Sequence, residues 1–255
     1  MLTWARRRQL SYLFGLTAFF GLVGLTAFLI YRPAPTCFDG RQNQDETGLD
    51  CGGQCSTACV NEVSPLKVHW VRSLPISPGR YDLVALVENV NRDFGVRRQA
   101  YRFALYDKDN VLLTERFGET FVNPGEQFVI FESRLETEDR EIGRAFLEFV
   151  ESGQWEKISP VARTIELERR DSVAQPKPLL HFSAANNGLA PVVNLEVVAV
   201  LSDINRNAFA ASATVVDRLA PAQRRDLYFT WPDPFDSEPS YVDAYWRLNR
   251  FEMGE

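Results

Sequence analysis

The chain of 255 residues is 45% hydrophobic and 24% charged, with four Cys, two His and a formal net charge of −6. That composition gives room for one or two globular cores and excludes a disordered or collagen-like chain. A pI near 5.2 argues against nucleic acid as a partner, because neutralising phosphates takes Lys and Arg in excess on at least one face. Two His leave little room for imidazole-based metal or acid–base chemistry.

Leu10 to Tyr31 is a run of 22 residues without a charge. At ~1.5 Å per residue a helix of that length spans about 33 Å, enough for a bilayer core of roughly 30 Å. Arg6, Arg7 and Arg8 precede it, whereas Arg32 alone follows before Asp39, Asp45, Glu46 and Asp50. The Lys/Arg bias therefore predicts residues 1–9 in the cytoplasm, a transmembrane helix over 10–31, and everything after it outside. Trp4, Tyr12 and Tyr31 fall near the two interfaces, where amphipathic rings prefer to lie. A cleaved secretory signal is the competing reading, but an h-region is usually ~7–15 residues and ends in a small-residue site. Arg32-Pro33-Ala34-Pro35-Thr36 is a poor one. Ser11/Gly15 and Thr17/Gly21 have small-xxx-small spacing, a pattern common by chance.

All four cysteines, Cys37, Cys51, Cys55 and Cys59, fall within 23 residues. Clustering in a segment too short to bury a core is the usual setting for disulfides in an oxidising compartment, and two bridges allow three pairings. A four-Cys zinc site is the rival, but its C-x2-C pairs are missing. The same acidic stalk, residues 32–62, alternates oxygen side chains with Gly. Asp39, Asn43, Asp45 and Asp50 form a candidate calcium set, the only cofactor suggested; the plainer reading is that they supply the turns of the loop.

After Pro65 the pattern has period two, the signature of strands with one face buried. Tyr101, Phe103 and Leu105 share a face, and Asp107-Lys108-Asp109-Asn110 turns into Val111–Thr114, a hairpin. Tyr81 to Val87 is apolar on both faces apart from Asp82, as in a central strand. Asn123-Pro124-Gly125-Glu126 is a turn opening onto Phe128–Phe131, and Phe146–Val150 closes the set. The second half repeats this order, with Leu195, Val197, Ala199 and Leu201 on one face and turns at Asp203–Asn207 and Ala220-Pro221. Matching Asn89 to Asn186, Asp107 to Asp203 and Pro124 to Pro221 gives offsets of 97, 96 and 97, which point to an internal duplication. The expected fold is mainly β. The N-terminal transmembrane helix and short disulfide-rich loop precede two tandem antiparallel β-sandwiches of immunoglobulin type, over 63–168 and 179–255, joined by a linker at 169–178.

Cys37 to Cys59 resembles the C-x-D-G-x-x-N…E-T-G-x-D-C-G-G-x-C motif of bacterial secreted proteins, departing at the end, where three residues rather than two separate Cys55 from Cys59. Val87-Glu88-Asn89, Phe103-Ala104-Leu105-Tyr106-Asp107 and Asn123-Pro124-Gly125-Glu126 resemble the FxLYD family of bacterial immunoglobulin-like domains. The second module keeps only Leu201 and Asp203 of that motif. The layout is similar to that of envelope proteins of candidate-phyla bacteria. The resemblance implies a cell-surface, non-catalytic module and carries no catalytic residues to transfer.

No G-x-S-x-G, H-E-x-x-H, Walker or G-x-G-x-x-G pattern is present. His69 and His181 lie in apolar strand patterns, and Asp107, Asp109 and Asp203 lie in turns that need their hydrogen bonds locally. No catalytic residue is expected. Trp231, Tyr241, Tyr245 and Trp246, with Phe251, crowd the C-terminal region and form a candidate interface, since aromatics dominate hot spots; the plainer reading is packing of the last strand. Without Arg6, Arg7, Arg8 and Arg32, 24 basic groups face 34 acidic ones, −10, which disfavours anionic polymers. The expected role is non-catalytic binding or assembly at the cell envelope, with the membrane and an envelope protein or glycan as partners. A surface hydrolase, or an accessory subunit of a membrane-bound enzyme or secretion complex, is the alternative.

Overall fold

The computed structural model describes residues 4–31, 34–138, 140–150, 153–158, 164–173 and 177–252. Contacts divide the chain into two units, Met1–Gln54 and Cys55–Glu255. The first holds helix α1 (Trp4–Tyr31), 28 residues with none buried. The helix starts earlier than the uncharged run, so Arg6, Arg7 and Arg8 lie on its first turns; Arg32 lies outside the described residues. The few hydroxyls in the helix turn back on their own backbone: Ser11 donates to the carbonyl of Arg7 at 2.9 Å, Thr17 to Leu13 at 3.0 Å and Thr26 to Val23 at 2.9 Å. These Ser and Thr hydroxyls therefore present no unmet donor to its apolar surface. By length and composition it is a helix able to cross a membrane, as an anchor or a signal.

In the second unit the first module contains β1 (Lys67–Ser77), β2 (Arg80–Glu88), β3 (Phe94–Tyr106), β4 (Leu112–Val122), β5 (Gln127–Glu136), β6 (Arg144–Phe149) and β7 (Trp155–Lys157). They form antiparallel sheets of order β1-β2-β5 and β4-β3-β6, with β7 beside the start of β3. Leu83, Ala85 and Val87 of β2 and Phe128 and Ile130 of β5 meet Tyr101, Phe103 and Leu105 of β3 in one core. The alternation that placed the last three on one face has this cause.

The second module contains β8 (Ile165–Val173), β9 (Leu179–Asn186), β10 (Val192–Ser202), β11 (Ala208–Leu219), β12 (Arg224–Thr230) and β13 (Tyr241–Arg247). Its sheets are β12-β9-β8 and β11-β10-β13, the order of the first module with each strand replaced by its successor copy. Leu195, Val197, Ala199 and Leu201 all enter its core. One expectation is corrected: much of the stretch assigned to a linker at 169–178 is strand, since β8 runs to Val173 and pairs with β9. Ile165 and Leu167 contact the core while Glu166 and Glu168 alternate with them on the exposed face. On an edge strand with a solvated outer face, such charges are compatible with pairing. Residues 174–176 of that stretch lie outside the described residues.

A third apolar layer joins the modules. Leu74 of β1, Val84 and Leu86 of β2 and Val129 of β5 pack on Val198 and Val200 of β10 and Ala208 and Ala211 of β11, with Trp70, Phe131 and Tyr245 around them. The outer face of β1-β2-β5 thus lies on the outer face of β11-β10-β13, giving four sheets in succession. Residues 83–87 of β2 and 197–202 of β10 are buried throughout because each strand has a core on both faces.

Candidate functional site

The cysteine-rich loop is held from within. None of the four cysteines is free, and all are disulfide-bonded, which removes the zinc alternative because the thiolates it requires are absent. Asp39 accepts from the amide of Arg41 at 2.9 Å and from Nδ2 of Asn43 at 2.9 Å. The Asn43 bond, followed by backbone donors, holds the Asp39 carboxyl below the usual carboxylate range. Both carboxylate oxygens of Asp50 accept from the amide of Gly40, at 3.1 and 3.0 Å. Gln44, Asp45 and Asp50 adopt positive φ, and a Cβ on Gly53 would lie 2.1 Å from the carbonyl oxygen of Asp45. Of the candidate calcium set, the loop brings Asp39 against Asn43 and Asp50 against the adjoining Gly40 amide. Asp45 contributes its turn and its carbonyl's close approach to Gly53.

The aromatic candidates are divided between two interiors. Trp231 and Trp246 pack on the second core, and Tyr245 on the layer between modules. Trp231 also donates Nε1–H to the carbonyl of Ala211 at 3.0 Å, and Tyr241 takes the Arg206 guanidinium over its ring at 4.0 Å. The two histidines pair with carboxylates: His69 with Glu88 at 2.8 Å, and His181 with Asp226 at 3.1 Å while stacked on Tyr228 at 4.6 Å between centroids. Asp107 accepts the amides of Asp109 and Val111, and Asp203 those of Asn205 and Asn207. In each case the amide bonds, led by Val111 for Asp107 and Asn207 for Asp203, hold the carboxyl below its ordinary value. These aspartates belong to hairpins of different modules, Asp203 consumed by its own turn and Asp107 by its turn and the Arg140 guanidinium.

What the sequence did not reveal is Arg247. Its side chain is 4% exposed, lies over Phe121 and Phe128 at 4.1 and 4.0 Å, and faces Glu126 at 3.6 Å and Glu196 at 3.9 Å. It donates to Oγ1 of Thr120 at 2.9 Å and to the carbonyl of Phe121. It borders a cleft of about 400 Å³ between the modules, lined also by Arg98, Tyr101, Glu119 and Glu196. Burial raises the Glu196 carboxyl against the opposing pull of Arg247. Burial and the Glu132 carboxylate, which accepts from the Tyr101 hydroxyl at 2.6 Å, raise the Tyr101 phenol. Arg98 is paired with Glu119 at 2.6 Å and Arg247 faces Glu196 at 3.9 Å across this cleft, while Arg97 reaches out of it to Glu156 at 3.5 Å. A second groove of about 1020 Å³, bordered by Leu74, Phe131, Phe209, Trp231 and Phe235, also runs between the modules. An Arg late in the chain carries no sequence signal for burial; apart from Glu196, its partners come from another module.

No protein-family model matches the chain, and no curated protein does. Among solved structures, the crystal structure of red sea bream transglutaminase is similar at 13% identity, over 74% of this chain and 30% of that one, with a TM-score of 0.25. The chain thus spans less than a third of that protein, and a likeness of this extent carries no argument about fold or activity.

Proposed function

We propose that this protein is a non-catalytic, single-pass membrane protein that holds a rigid pair of β-sandwiches outside the cell for binding or assembly at the envelope. The observation that carries the reading is α1, uncharged from Leu10 to Tyr31 and without a buried residue, followed directly by a segment whose cysteines are all oxidised. An unburied helix that is uncharged over about 33 Å finds its favourable surroundings in lipid, and structural disulfides persist in oxidising compartments. The carboxylates of the cleft and turns support a role without chemistry of its own, since Glu119 and Glu126 face arginines, Glu88 and Asp226 face histidines, and Asp107 and Asp203 accept backbone amides.

The test is a tag at the C-terminus, probed with an impermeant label on intact cells, followed by cross-linking and identification of what co-purifies. Labelling before permeabilisation is expected; labelling only afterwards overturns the orientation and the function with it. The comparison protein should carry surface changes, Phe117→Asp or Tyr228→Asp, both at exposed rings. Removal of the second module would instead bare Val84 and Leu86 and produce capture by exposed apolar surface.

A further inference from the structure

The second module reaches out of its own sandwich at the end of its closing strand. In the first module the chain beyond β6 returns to its own sheet, where β7 pairs Trp155 with Val96. In the second, the end of β13 and the described residues beyond it, 248–252, lie on the first module. Arg247 enters the pocket of Thr120, Phe121, Glu126 and Phe128. Asn123, in the turn between β4 and β5, donates to the carbonyl of Leu248 at 3.0 Å and accepts from the amide of Arg250 at 3.3 Å. Phe251, 7% exposed, lies under Arg97 and over Gly95, where a Cβ would come within 3.2 Å of its ring. Asn249 closes the stretch as a turn, accepting from the amide of Phe251 at 3.1 Å and donating to Glu252 at 2.9 Å.

We infer that residues 247–252 form a strap, with Arg247 as its bolt, that makes the two sandwiches one rigid body which opens and unfolds as a unit. Tandem modules with small polar interfaces move independently as the ordinary case. Two features remove that freedom here. The layer between the modules is a face of each sheet, so separation bares Val84, Leu86, Val198 and Val200 together. Arg247 is also a cation out of water whose hydrogen bonds, two ring contacts and nearer carboxylate, Glu126 at 3.6 Å, belong to the other module, while its own module offers Glu196 at 3.9 Å. Separating the modules leaves it Glu196 and water, and the loss of the remaining contacts opposes partial opening. The strap is carried by the second module and held mainly by the first, which couples their stabilities.

The experiment is thermal unfolding and hydrogen exchange of the full chain in detergent micelles, comparing wild type with Arg247→Ala and Asn123→Ala. Asn123→Ala cuts the tie to Leu248 and Arg250 and one bond to Glu126, which keeps Arg247 and the backbone amide of residue 123, so it reads the strap if Arg247→Ala fails to fold. For wild type, one calorimetric transition and equal opening of β3 and β10 are expected. For each folded variant the transition should divide in two, with β3 and β10 exchanging at different rates. Two transitions in wild type, or a variant that melts earlier while β3 and β10 still open together, would overturn the proposal.

Discussion

Asn89 and Asn186 are 1% and 0% exposed, and they make the same three bonds. Asn89 donates Nδ2 to the carbonyls of Phe94 and Asn123 and accepts from the amide of Asn91; Asn186 does so with Ala190, Leu219 and Gly188. Each staples the end of its second strand to two neighbouring segments. Asn89→Ala or Asn186→Ala orphans two carbonyls and an amide, and should cost about 3 kcal/mol in urea denaturation. An unchanged midpoint would show that water replaces the side chain. These residues were legible in sequence only as markers of the repeat; their burial was not, because Asn at a strand end reads as a turn. Asp107 and Asp203 were read as turn residues and their amide bonds agree. Since both carboxyls are held below their unfolded value, the stability they lend is full above about pH 4 and is lost as pH falls through the lowered folded pKa. Asp107→Asn with Asp203→Asn should therefore flatten the acid limb of a melting-temperature profile below about pH 4, and a limb of unchanged slope would sink this assignment.

Strand faces show why the stack has two modules. With Asp107 aligned to Asp203, an offset of 96, Val198 and Ala211 of the covered face correspond to Arg102 and Glu115 on the free face of β4-β3-β6. Arg102 is held by Glu115 at 2.8 Å and by Glu148, a charged network where the covered face carries small apolar groups. Such a network keeps a sheet from accepting another sheet, since its ions would lose water on contact. Arg102→Val with Glu115→Ala should consequently give self-association beyond that of the parent in sedimentation velocity, increasing with concentration, whereas identical sedimentation would assign the exclusion to something else. Period-two patterning made β3 and β10 legible. It also showed Tyr81–Val87 apolar on both faces, but a pattern records that a face is covered and not by what. The covering sheet lies more than a hundred residues away, beyond any local signal. The charges of β8 hid a strand for the same local reason.

The whole chain places its covalent staples and its packed cores in different segments. All four cysteines lie in residues 37–59, while the buried clusters draw on residues from Leu66 to Leu248. The connection within the second unit is narrow: Lys157 donates to the carbonyl of Ser56 at 2.6 Å, Ala58 to that of Trp155 at 2.9 Å, and Thr57 bridges Glu156. This extends the β7 edge by a short ladder. A disulfide acts mainly by restricting the unfolded chain between its ends, typically by 2–4 kcal/mol, and here that chain is the loop itself. Reduction should then release the loop and leave the sandwiches standing. With dithiothreitol, the far-UV β signal and the main melting transition should persist, the midpoint moving by roughly 5 °C at most. Trypsin should gain a cut at Arg41, and hydrogen exchange should rise from Thr36 to Ala58 and along β7. Collapse of the β signal on reduction would mean instead that the first module folds around the cysteine loop, and that the loop belongs to its core rather than to a stalk below it.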